Sequence, residues 1–303
     1  MVKRKIWSAR ELRQRLFAFA LVVPALVVLT VTIVIPIVDV IRMSFLNYNL
    51  LQIKNVSWNN FGNYRYLVGR QEFLLTFART IYFVFVSVAI QFVLGLICAL
   101  LLHRQIIGAD FIKGILFLPW TIPMLIVGVV WMWIYQPQYG ILSYIVHNLL
   151  HLTENPVNWA GQMNTAMPSV IAATVWRTTP FMLVMLSAGL QTVPQDLLEA
   201  AVIDGANPFQ KFINVTLPCI MSVVKTVTLS SIILHFQMFV LFYVITGGGP
   251  VNATTTLTVY TYETAFMRYD FGKGAAVGVF WLLFLILFST FYNKYLSKKE
   301  AFA

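Results

Sequence analysis

Gln191-Thr192-Val193-Pro194-Gln195-Asp196-Leu197-Leu198-Glu199-Ala200-Ala201-Val202-Ile203-Asp204-Gly205-Ala206-Asn207-Pro208-Phe209-Gln210-Lys211-Phe212, followed by Val215-Thr216-Leu217-Pro218, lies between two long apolar runs and decides the fold. It reads as two short helices joined by a glycine. Thr192 and Gln195 stand at capping-box spacing, and Pro194 suits a first helical turn, where its missing N–H removes no intrahelical bond. Gly205 then stops the helix. Asn207 before Pro208 repeats the start signal, because an asparagine oxygen accepts from orphan amides and proline presets φ for the next turn. The expected product is a helix-Gly-helix knob between two membrane spans.

Outward from this stretch the chain is apolar in both directions. Of its 303 residues, 59% are hydrophobic and 11% charged. A soluble domain carries roughly a quarter charged residues, so this is a polytopic membrane protein. The formal charge of +10 does not mark a nucleic-acid surface, and no nucleic-acid partner is expected. Lys3, Arg4, Lys5, Arg10, Arg13 and Arg15 crowd one end and Lys294, Lys298 and Lys299 the other, a distribution that sets membrane topology. Cys98 and Cys219 lie in or beside apolar runs without metal-like spacing and read as small core residues. The first apolar run, about Leu16 to Ile41, is too long for a signal-peptide core and is expected to stay as an anchor.

Six spans are expected, at about 16–42, 74–102, 114–135, 166–190, 217–245 and 274–296, each with the roughly 20 residues a bilayer crossing needs. Residues 1–15 form a basic cytoplasmic segment whose Trp7, Leu12 and Leu16 could lay a short helix along the headgroups. His103, Arg104 and Lys113 mark an inner loop. Residues 136–165 contain no lysine or arginine and belong outside, as do 43–73 and 246–272. The knob at 191–216 and the tail at 297–303 belong inside, so both termini are cytoplasmic. Pro24 and Pro36 are expected to bend the first span.

The knob resembles the EAA loop of binding-protein-dependent ABC importer permeases. Glu199-Ala200-Ala201, Gly205, Val215, Leu217 and Pro218 fill that pattern. In the family the loop docks into a separate ATPase subunit, which implies coupling roles for Glu199, Ala200, Ala201, Asp204, Gly205, Ala206, Phe209, Leu217 and Pro218. Two further segments resemble the carbohydrate branch, the maltose- and glycerol-phosphate-type permeases: Phe117-Leu118-Pro119-Trp120-Thr121-Ile122-Pro123 with Trp131 and Trp133, and the segment from Thr246-Gly247-Gly248-Gly249-Pro250 to Ala275-Ala276. The resemblance implies an all-α, six-span bundle of the type I importer permease fold with a cytoplasmic coupling helix, in a prokaryotic cytoplasmic membrane. It also implies a second homologous permease, two ATPase subunits holding ATP and Mg, and an extracytoplasmic solute-binding protein that docks near Gly247, Gly248, Gly249 and Pro250. Arg79-Thr80 departs from the family's usual Asn-Thr, and no role is assigned there.

The chain itself lacks a phosphate loop: Gly247-Gly248-Gly249-Pro250 is followed by neither lysine nor a helix start. Metalloprotease, paired-cysteine and nucleophile-elbow motifs are also missing, so neither catalytic nor metal-binding residues are expected. Span 5 is the polar one. The 100° helical step puts Thr228, Ser231, His235 and Met238 on one stripe and Thr226, Ser230 and Gln237 nearly opposite. By resemblance, the sugar-contacting stripe corresponds to Ser231, Leu234, His235 and Met238, with Phe236 and Phe239 nearby as stacking faces. His235 equally fits a structural histidine between helices. Arg177 either binds substrate or forms an ion pair inside the bundle. The expected function is the permease subunit of an ATP-driven sugar importer, forming half of a translocation pore among membrane lipid. The rival is an ion-gradient-driven secondary transporter relaying through His235, Asp39 or Arg177.

Overall fold

The computed structural model describes residues 9–103 and 108–297. The chain divides into two compact units, Met1–Leu67 with Thr264–Phe280, and Val68–Glu263 with Trp281–Ala303.

In the first unit, α1 (Ala9–Leu29) passes through a π-helical turn at Thr30–Val34 into α2 (Ile35–Ser44). The N–H of Ile35 reaches back five residues to the Thr30 carbonyl, and this widened turn accommodates Pro36 without interrupting the span. From Ala9 onward the helix is continuous with the span, and residues 1–8 of the expected interfacial segment lie outside the described residues. A short hairpin comes next, with β1 (Leu46–Asn47) antiparallel to β2 (Ser57–Trp58), and then α3 (Gly62–Val68). Buried Asn63 binds this corner by donating to the carbonyls of Ser44 and Leu46, both at 2.9 Å.

The second unit is a helix bundle. It contains α4 (Gln71–His103), α5 (Ala109–Thr121), α6 (Met124–Ile134), α7 (Ile141–Ser143), α8 (Met163–Gln191), α9 (Gln195–Ile203), α10 (Pro208–Lys211), α11 (Leu217–Cys219), α12 (Met221–Phe236), α13 (Val240–Ile245) and α14 (Leu257–Tyr262). The last helix, α15 (Phe271–Ser297), closes the chain. Parallel α4 and α8 form the spine of the bundle, with Gln91 beside Thr178 and Gly95 beside Met182 running in the same sense along both helices. Gly95 lets them approach, because a Cβ there would stand 2.7 Å from Met182 Cγ, and Gln91 Nε2 donates to the Thr178 carbonyl at 2.9 Å. One buried cluster gathers Phe83, Phe236, Leu241 and Phe242; a second gathers Met182, Leu183, Leu186 and Ile220.

Among the described residues, four unbroken helices are long and apolar enough to cross a membrane, at Leu16–Ser44, Gln71–His103, Met163–Gln191 and Phe271–Lys294. The other two expected spans are broken. Span 3 bends by 94° between α5 and α6, since Ile122 precedes Pro123 and is pushed to extended backbone at φ −72°, ψ 131°. Span 5 bends by 72° at Ile220, so Leu217 and Pro218 belong to the second arm of the knob and the crossing helix starts at Met221. It breaks again before α13. Six crossings result when each bent pair counts as one.

Candidate functional site

The knob is built by local chemistry. Helix α9 ends in a Schellman closure: Ala206 N–H donates to the Ala201 carbonyl at 2.9 Å and Gly205 N–H to the Val202 carbonyl at 3.0 Å. Gly205 carries φ +78°, the left-handed conformation this closure requires. Asn207 then starts α10 with a full capping box, its Oδ1 accepting from Gln210 N–H while Gln210 Oε1 accepts from Asn207 N–H, both at 2.9 Å. The box expected at Thr192 and Gln195 does not form. Pro194 is the N-cap of α9, and the Thr192 hydroxyl instead donates to the Gly189 carbonyl at 2.8 Å, closing α8. Sequence spacing could not decide between these, because a threonine hydroxyl serves the preceding helix as readily as the next.

Nothing in α9 is buried. Glu199, Ala200, Asp204 and Gly205 are exposed, Ala201 and Ala206 half-buried, and Pro218 exposed beside half-buried Leu217. The knob also displays large apolar side chains: Ile203 is 85% exposed, Phe209 73% and Val202 58%. Val202 and Ile203 were not singled out in the sequence. Their signal was present as aliphatic residues ending a helix outside the membrane.

In the membrane, the two polar stripes of α12 face different ways. Ser231, His235, Phe236 and Met238 are buried within this chain. The His235 ring lies 5.9 Å from Phe83, its Nδ1 is 2.7 Å from the Ser231 carbonyl, and Thr174 Oγ1 is 3.4 Å from Met238 Sδ. Of the expected sugar stripe, only Leu234 is exposed. The opposite stripe is the open one, with Ser222, Thr226 and Gln237 exposed and Ser230 half-buried. Behind it, Ser87 Oγ, Gln91 Oε1, Ser231 Oγ and His235 Nε2 are buried polar atoms without a hydrogen-bond partner among the described residues.

Arg177 sits halfway along α8, half-buried, and its buried Nε has no hydrogen-bond partner among the described residues. The helical step places Arg177, Phe181, Val184 and Ala188 on one face of α8. Thr174 against Met238 and Gly189 against Val223 fix the antiparallel register of α8 with α12. In that register the Arg177 face and the open polar stripe of α12 turn to the same side of the pair. Asp39, by contrast, is exposed and lies 4.0 Å from Arg42.

At the far end of the bundle from the knob, Gly247 (φ +58°) and Gly248 (φ +85°) form a tight turn. Thr254 Oγ1 donates to the Gly249 carbonyl at 2.8 Å and Thr255 Oγ1 to that of Gly248 at 3.1 Å. Gly248 is buried and Gly249 and Pro250 half-buried, so the accessible tip is Gly247 with Val251 and Asn252. Thr80, which the sequence left without a role, anchors the start of α14, its Oγ1 accepting from Leu257 N–H at 2.9 Å.

The family comparison places this helix bundle and its capped knob among transport permeases. Residues 91–301 match the binding-protein-dependent transport system inner membrane component, and the chain belongs to this family of multi-pass membrane proteins. It is 33% identical over 287 residues to a trehalose/maltose transport system permease of Thermococcus litoralis, covering 95% of this chain and 96% of the relative. It is 32% identical over 272 residues to a trehalose transport system permease of Mycobacterium tuberculosis, covering 90% and 86%. A diacetylchitobiose uptake permease of Streptomyces coelicolor is 30% identical over 285 residues, covering 93% and 87%. In structure, the chain resembles one from a bacterial alginate ABC transporter crystallised with an alginate pentasaccharide-bound periplasmic protein, with TM-score 0.80, 18% identity and coverage of 94% and 95%.

Proposed function

We propose that this chain is the permease subunit of an ATP-driven sugar importer, coupled through the knob to a separate ATPase. The observation that carries the coupling is α9 and α10 themselves: their geometry is closed by their own hydrogen bonds, yet Val202, Ile203 and Phe209 stand in solvent with nothing of the described chain to cover them. Such a surface matches a hydrophobic socket on a partner. ATP and Mg would be held by that partner, since this chain has no phosphate loop. The relatives' names favour a disaccharide or short oligosaccharide as substrate. A second permease and an extracytoplasmic binding protein, docking at the Gly247 tip, complete the assembly. The knob and both termini face the cytoplasm.

The substrate path fits the side of the α8–α12 pair that carries Arg177, Thr226, Ser230, Leu234 and Gln237. A polar stripe open along a membrane helix is costly against lipid and fits a water-filled path or a permease partner. The unpartnered atoms of Ser231 and His235 lie behind it and are positioned to meet substrate or water in another state of the transport cycle.

Reconstitution tests this reading. The purified complex in liposomes with its binding protein should take up radiolabelled trehalose or maltose only when ATP is inside. Uptake driven by an ion gradient without ATP would return the secondary-transporter reading. Gln237→Leu should slow uptake more than His235→Ala; the reverse order would restore the buried stripe as the sugar contact.

A further inference from the structure

We propose that the segment between α6 and α8 carries a second, outer sugar subsite, distinct from the path along α12. This inference rests on the sugar-importer reading. Helix α8 has 29 residues, about 43 Å at 1.5 Å per residue, so its start and the segment before it lie on the membrane face opposite the knob. There a cavity of about 420 Å³ is lined by Pro137, Gln138, Tyr139, Tyr144, His147 and Asn148 among others. That size lies within the roughly 300–1,000 Å³ of small-molecule sites.

The segment is a folded piece that holds this cavity open. Gly140 N–H closes a turn onto the Gln136 carbonyl at 2.9 Å, and a Cβ at Gly140 would collide with three backbone atoms. Trp159 Nε1 donates to Ser143 Oγ at 3.0 Å, and Ser143 Oγ donates to the Val157 carbonyl at 3.1 Å, pinning the returning chain to α7. A π-helical turn over Tyr144–Leu149 then carries Tyr144, His147 and Asn148, all three of which line the cavity.

The lining chemistry selects the ligand class. No acidic or basic side chain apart from the imidazole contributes, so a strongly charged ligand has no counter-charge among the described lining residues. Gln138, Asn148 and the two phenols offer both donors and acceptors to hydroxyl groups. His147 Nδ1 is engaged with the Thr153 carbonyl at 2.9 Å, which leaves Nε2 as the ring atom for a ligand. Tyr139 is 72% and Tyr144 60% exposed, so their ring faces are free to stack on the apolar C–H face of a pyranose. A neutral polyhydroxyl compound with one apolar face fits all of these groups. Such a site would hold sugar on the outer face before it enters the path.

The test uses the complete permease–ATPase complex in nanodiscs, without binding protein, and saturation-transfer NMR with trehalose and with maltose. Wild type should give a saturable signal with at least one of these sugars. Tyr144→Ala and His147→Ala should each weaken it fivefold or more, and Tyr144→Phe, which keeps the stacking face, less; basal ATP hydrolysis should remain in all three and reports intact assembly. Unchanged binding in the alanine variants overturns the subsite. So does an unchanged sugar signal combined with a raised requirement for binding protein in uptake, which would make this cavity a protein-docking surface. A complex that imports sugar but gives no signal with either probe also removes the subsite while leaving the importer reading intact, whereas failure of sugar uptake itself removes both.

Discussion

The knob and the α4–α8 spine are built by opposite means. In the knob, α9 and α10 close through neighbours in sequence, by the Schellman bonds at Gly205 and the capping box at Asn207, and their apolar side chains point away from the chain. In the spine, residues 80 to 90 positions apart meet, Gly95 against Met182 and Gln91 against the Thr178 carbonyl, and the apolar side chains are packed inward. The difference teaches how one chain can be stable and still unfinished. The spine gains its energy from itself, whereas the knob holds its shape by hydrogen bonds and keeps its hydrophobic area for a partner.

Breaking the knob's turn should have the largest effect. Gly205→Val places a β-branched residue at φ +78°, a strain of about 1–3 kcal/mol that the exposed turn would relieve by changing direction. Transport should fall to background while membrane insertion persists, and the ATPase subunit should be lost on purification. Normal uptake by this variant would reduce the loop to a connector.

Phe209→Ala should come next. A phenylalanine moved from solvent into a socket contributes about 1.5–3 kcal/mol, so affinity for the ATPase subunit should drop roughly tenfold to a hundredfold by pull-down titration. The fold should be untouched, because Phe209 is 73% exposed here. Ile203→Asp should act in the same direction.

On the spine side, Gly95→Val should destabilise instead of uncoupling. Its side chain would overlap Met182 and approach the Leu183 backbone, and overpacking of this kind costs about 1–3 kcal/mol. Thermal unfolding in detergent should shift down by several degrees, with coupling per assembled complex preserved. A Gly95 variant of normal stability that uncouples ATP use from uptake would erase the contrast drawn between the two regions.

The smallest effect is expected at Asn207→Ala, which removes one half of the capping box at a cost of about 1 kcal/mol. Uptake should be reduced only a few fold, and Asn207→Asp should restore most of it, since aspartate caps equally well.

Much of this was legible in the residues. The Glu199-Ala200-Ala201 to Gly205 to Leu217-Pro218 spacing identified the knob, because helix ends are written in a few adjacent residues whose backbone preferences act locally. Less was legible where two local signals competed. Thr192 caps the end of α8 instead of the start of α9, and Pro123 breaks a span through which the apolar run continues without interruption. The outer cavity was not legible at all: Tyr139, Tyr144 and His147 carry no motif, and only the turn at Gly140 and the Trp159 bond bring them around one space.

The sequence by itself determined that the chain lives in a membrane, roughly where it crosses, and that a capped helical knob interrupts the crossings, since hydropathy, proline and glycine act through the bilayer and the backbone nearest to them. Only the tertiary structure decided which stripe of α12 turns outward. Helical periodicity separates Ser231 and His235 from Ser230 and Gln237, but it is blind to which side a neighbouring helix will cover. That choice was made by α4 and α8, where Phe83 packs beside His235 and Thr174 meets Met238, across separations no local pattern records.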